Sequence, residues 1–96
     1  MLWLLYFCNS TGERTEMVDR AIKEIRDADK RYMSVNWMRI NIDLEANQCQ
    51  KYEIKDAPCI FAGKDTVFKF EEGIGYDEVK QRVQSAMDMF LNAAIL

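Results

Sequence analysis

The sequence predicts an α/β domain of element order βαβαββα, with a parallel strand pair and an antiparallel hairpin. Three observations carry this. Met1-Leu2-Trp3-Leu4-Leu5-Tyr6-Phe7 is an unbroken apolar run, the pattern of a central strand buried on both faces. Two later segments, one opening near Gly12 and one running from about 77 to the low 90s, place apolar residues at helical spacing. Between them lie an alternating stretch at 35–42 and two short β-rich runs joined by a turn. The 96 residues fit one domain, 1–96, with no linker or internal repeat.

The elements follow in order. Asn9-Ser10-Thr11-Gly12 is turn-prone, and Ser10 with Glu13 three residues on reads as a capping box opening the first helix. That helix aligns Met17, Val18, Ala21, Ile22, Ile25 and Ala28 on one stripe, with charged residues opposite. The second strand spans Val35 to Ile42, where Met38, Ile40 and Ile42 alternate with Arg39 and Asn41. Asp43 then caps a short helix of about 44–52 that carries Leu44, Gln48, Cys49 and Tyr52 at helical spacing. Pro58 leads into Cys59-Ile60-Phe61-Ala62, the turn Gly63-Lys64-Asp65-Thr66, and the return Val67-Phe68-Lys69-Phe70. Gly73 and Gly75 precede the last helix, whose buried row is Val79, Val83, Ala86, Met87, Phe90 and Ala94.

Composition removes several kinds of chemistry. The chain is 49% hydrophobic and 30% charged, enough apolar material for a core. Its 13 basic and 16 acidic residues are interspersed, so no long-range field gathers nucleic acid or an anionic membrane. With no histidine, every Ser-His, Cys-His and His-metal arrangement is absent. Cysteines 8, 49 and 59 match no common zinc or haem spacing, so no metal or cofactor is expected. Their odd number favours a reducing, cytoplasmic setting. The apolar opening lacks a basic flank and is too short for a signal peptide or membrane span.

Asn41-Ile42-Asp43, followed by Lys51-Tyr52-Glu53-Ile54-Lys55-Asp56-Ala57-Pro58, resembles a run found in the thioredoxin-like family, and Gly73 resembles the glycine after that family's hairpin. The resemblance covers roughly residues 3–92. It implies a minimal thioredoxin-like fold, a four-stranded mixed sheet flanked by three helices. It also implies that Pro58 is the family's cis-proline, with Ala57 offering backbone hydrogen bonds to an extended ligand. The family's Cys-Gly-Pro-Cys falls on Gly12-Glu13-Arg14-Thr15, so both catalytic thiols are missing. Its buried acid corresponds to Tyr6 and its neighbouring lysine to Arg39.

The candidate binding groove is therefore Gly12, Glu13, Arg14, Thr15, Ala57 and Pro58, and the expected function is noncatalytic binding of a peptide or protein. Arg14 would stand exposed beside this groove, either to meet a carboxylate or phosphate or as ordinary solvated charge. The alternative is a specialised thiol-disulfide or redox-sensitive protein. It would use Cys59 near the first helix N-terminus, paired with Cys8 if their Cα atoms come within about 7 Å. The plainer reading of Cys59 is a small, partly buried residue that packs. Trp3 and Trp37 read as sheet packing. A third class is a homo-oligomer formed through Leu91, Ile95 and Leu96 of the last helix.

Overall fold

The structure is a computed structural model that describes residues 3–45, 47, 50, 54, 56–63 and 65–95. It is an α/β arrangement of a four-stranded mixed sheet and, among the described residues, two long α-helices, with Asn47 and Gln50 also helical. The strands are β1 (Leu4–Cys8), β2 (Trp37–Asn41), β3 (Cys59–Phe61) and β4 (Val67–Lys69); the helices are α1 (Glu13–Ala28) and α2 (Tyr76–Ile95). A 3-10 helix, Lys30–Ser34, links α1 to β2. No helix among the described residues is long and apolar enough to cross a membrane.

Sheet order is β2-β1-β3-β4, so the apolar opening segment does become an inner strand. β1 runs parallel to β2, with Leu5 opposite Met38 and Phe7 opposite Ile40. β3 is antiparallel to both β1 and β4, with Phe7 opposite Cys59 and Ile60 opposite Phe68. These registers bring the C-terminal ends of β1 and β4 beside the start of β3. Three connections therefore meet at one end of the sheet.

Both helices cover the same sheet face. Val18, Ala21 and Ile25 of α1 and Val79, Val83, Ala86, Met87 and Phe90 of α2 share a core with Leu4, Tyr6, Cys8 and Ile60. Side chains alternate along a strand, so Leu5 and Phe7 turn to the opposite face. There Phe7, Ile40 and Cys59 form a smaller buried cluster, flanked by the partly buried Leu5, Ile42, Ile54 and Phe61.

Several local expectations are corrected. Ser10 does not cap α1. Its amide donates to Asp43 Oδ2 at 2.7 Å and its hydroxyl exchanges hydrogen bonds with the Asn41 side chain. The N-cap is Gly12, which makes no side-chain cap bond and has φ +140°, a backbone region that L side chains avoid. Ala28 is exposed at the helix end, and β2 is shorter than the alternating stretch suggested. Met38 is 43% exposed on β2, an edge strand of the sheet. Of the expected 44–52 helix, the described Asn47 and Gln50 are helical, Leu44 lies instead in a turn and is 78% exposed, and Gln48, Cys49 and Tyr52 fall outside the described residues, as does the side chain of Ala94. The 3-10 helix carries no apolar periodicity. It is anchored by Tyr32, buried, whose hydroxyl donates to Asp88 Oδ1 at 2.6 Å.

Candidate functional site

At the end of the sheet where the connections meet lies a cleft of about 390 Å³ lined by residues of three segments: 9 to 15, Pro58, and Glu72-Gly73. Five of the six expected groove residues, Gly12, Glu13, Arg14, Thr15 and Pro58, line it. Ala57 is buried behind that wall. The Ala57–Pro58 peptide bond is cis. Gly73 also lines it, as do Asn9, Thr11 and Glu72, which were not singled out as site residues from the sequence because they are polar loop residues that only the strand registers bring together.

Each wall has a local cause. Gly12 turns the chain from β1 into α1, and Gly73, at φ +82°, turns it from β4 toward α2. A Cβ at either position would meet nothing within 4 Å, so it is backbone conformation and not space that favours glycine. Thr15 is buried; its Oγ1 accepts from the Asn9 amide at 3.4 Å, which ties the β1–α1 turn to the helix.

Arg14 is not a free anion receptor. Its guanidinium donates to the Phe70 carbonyl at 2.6 Å and lies 3.5 Å from the Glu72 carboxylate. The side chain is 28% exposed, and its charge-assisted bond clamps α1 to the segment after β4. The short reach from the first helical turn to that segment explains why the exposed reading fails.

The cysteines do not form a relocated pair. Cys8 belongs to the core under the helices and Cys59 to the cluster on the opposite face, so their side chains diverge across the sheet. Cys59 is Cα partner to Phe7, the residue before Cys8, and one residue of offset reverses the face. Both cysteines are buried, Cys8 completely and Cys59 to 3% exposure, and neither lines the cleft. Burial pushes the Cys8 thiol up, with Arg39 opposing, so it is held as the neutral, unreactive form.

Tyr6, expected from the resemblance to stand at the position of a buried acid, lies in the core. Tyr6 is 1% exposed and its hydroxyl donates to the Thr15 carbonyl at 3.3 Å. Burial first, and then Asp19, raise its pKa far above the ordinary phenol value, so it stays protonated at neutral pH. Arg39 pairs with Asp19 at 3.0 Å and lies 5.6 Å from the Tyr6 ring centroid. Among the described residues, no group of three His, Cys, Asp or Glu is placed to hold a metal. What the arrangement offers is a cleft with backbone and polar walls whose described lining carries the carboxylates of Glu13 and Glu72 and no thiol.

No protein-family model matches the sequence, and no curated protein matches it. Fold and site define a small α/β domain with a polar cleft at one end of a mixed sheet.

Proposed function

We propose that this chain is a thioredoxin-like domain, with that family's three-helix topology, that lacks the dithiol and binds an extended segment of a peptide or protein in the cleft beside Pro58. The observation that carries the reading is the cleft itself: the N-terminal turn of α1 and Pro58 face one open space, and no cysteine is among its described lining residues. The strand order, with a parallel β1–β2 pair and an antiparallel β3–β4 hairpin, supports the topology. The backbone around Ala57 pairs with the extended segment, and Thr11, Glu13 and Glu72 contact its side chains. The burial of Cys8 and Cys59 supports a noncatalytic protein in a reducing, cytoplasmic setting.

Titration of isotopically labelled protein with an unbiased pool of heptapeptides tests this. Amide shifts should move at residues 11–15, 57, 72 and 73. Changes confined to α2, or none, would overturn the cleft as the binding site. The protein should also leave the reduction rate of a disulfide-bonded peptide by dithiothreitol unchanged; acceleration would overturn the noncatalytic reading.

A further inference from the structure

The cleft beside Pro58 does not end there. Arg14, Pro58 and Glu72 also line a second cleft of about 370 Å³, which adds Asp56, Lys69, Phe70 and Glu71. The Arg14 guanidinium bound to the Phe70 carbonyl is thus part of a wall common to two adjoining depressions. The two depressions adjoin along this shared wall of Arg14, Pro58 and Glu72.

The charges along this groove are unequal. Its described carboxylates are Glu13, Asp56, Glu71 and Glu72, against the cations Arg14 and Lys69. Arg14 is already engaged by the Phe70 carbonyl and Glu72, yet Glu72 remains 91% exposed. Glu71 is held by Arg82 at 2.6 and 3.1 Å. Glu13 belongs to the first cleft alone and Asp56 to the second alone, and no cation among the described residues forms an ion pair with either. Lys69, which is in no ion pair among the described residues, and the N-terminus of α1, worth about half an elementary charge, oppose these two carboxylates without fully balancing them. Pro58 and Phe70, both buried, provide the apolar part of the walls.

Resting on the reading of the first cleft as a peptide site, we propose that the occupant is a cationic extended segment, with lysine or arginine alternating with small apolar residues. An extended chain sends successive side chains to opposite sides. In this register the apolar residues meet Pro58 and Phe70, and the cations reach Glu13 at one end and Asp56 at the other.

Three capped heptapeptides, alternating valine with lysine, serine or glutamate, test the inference by fluorescence anisotropy. At low salt the lysine peptide should bind about 10-fold tighter than the serine peptide, the combined effect of two exposed charge pairs, and the glutamate peptide weakest. The preference should shrink at high salt and vanish in the Glu13→Gln/Asp56→Asn double variant, with serine-peptide binding retained. Thr11→Trp, at an exposed lining position, should weaken all three by filling the first cleft, and thermal melts check that both variants fold. Equal binding of the lysine and glutamate peptides, or a lysine preference that survives Glu13→Gln/Asp56→Asn, would overturn the cationic occupant and leave the groove standing. Failure of all three to bind, or indifference to Thr11→Trp, would overturn the groove and the occupant with it.

Discussion

The two faces of the sheet are built by the same strands and end up in different surroundings. Leu4, Tyr6 and Cys8 are sealed under α1 and α2, whereas Leu5, one residue away, is only partly covered. The helical side also carries polar ties between elements: Tyr32 to Asp88, Tyr76 to Glu24, and Arg39 to Asp19. Arg20 lies over the Tyr76 ring and Lys80 approaches Glu24, so the seam between α1 and α2 combines packing with charge. On the other face Met38, Leu5, Phe61 and Val67 lie side by side across all four strands and remain half-open. Period-two alternation turns a single apolar run into two layers of unequal depth, and most of the cohesion lies in one of them.

The largest test of that inequality uses adjacent residues of one type. Leu4→Ala should cost about 3 kcal/mol and Leu5→Ala about 1 kcal/mol, because the penalty follows how much buried contact is removed and how large a cavity remains. Urea denaturation of both variants measures this, and equal costs would break the comparison. Thiol labelling asks the same of the native ensemble. Cys8 and Cys59 should react at least about 100-fold more slowly than in urea, since both need an opening of the structure. Cys8 should be the slower, lying under the helices.

Arg14→Ala should lower stability by about 2 kcal/mol, the scale of a charge-assisted hydrogen bond, visible as a reduced urea midpoint. Arg14→Lys should recover only part, since an ammonium cannot reproduce the planar fork between the Phe70 carbonyl and Glu72. Tyr6→Phe should cost about 1 kcal/mol at pH 7 through the lost bond to Thr15. Because the folded-state pKa of Tyr6 is raised, its contribution is complete below the unfolded value of 10.0 and is lost as pH rises through the folded value. The unfolded chain ionises first, so the cost of Tyr6→Phe should shrink between pH 9 and 11. Tyr76, pushed up to about 12 by burial and then Glu24, adds to the same alkaline decline. A cost of Tyr6→Phe that grows with pH would reverse the sign of this argument.

The elements that announced themselves in the sequence are those whose burial is periodic. The apolar opening run, the stripes of α1 and α2, and the hairpin around Gly63 were all legible because local spacing already encodes the face each residue takes. The 3-10 helix was not, since Tyr32 is buried by the core that the distant α2 completes and donates to Asp88, 56 residues away. The same limit applied at the site. Gly12 to Thr15 and Pro58 were named from a resemblance, but the engagement of Arg14 by Phe70 and the separation of Cys8 from Cys59 are products of register. The alternation rule could have separated the two cysteines had the pairing of β1 with β3 been known.

Gly12 bears on redesign. The position that resembles the first cysteine of a dithiol motif has φ +140° and ψ 145°, near a region almost reserved for glycine, where another residue costs about 1–3 kcal/mol. Writing cysteine at 12 and 15 would therefore not graft an oxidoreductase onto this scaffold by side-chain exchange alone. The turn from β1 into α1 would have to be redrawn first, with a path that an L-amino acid can follow.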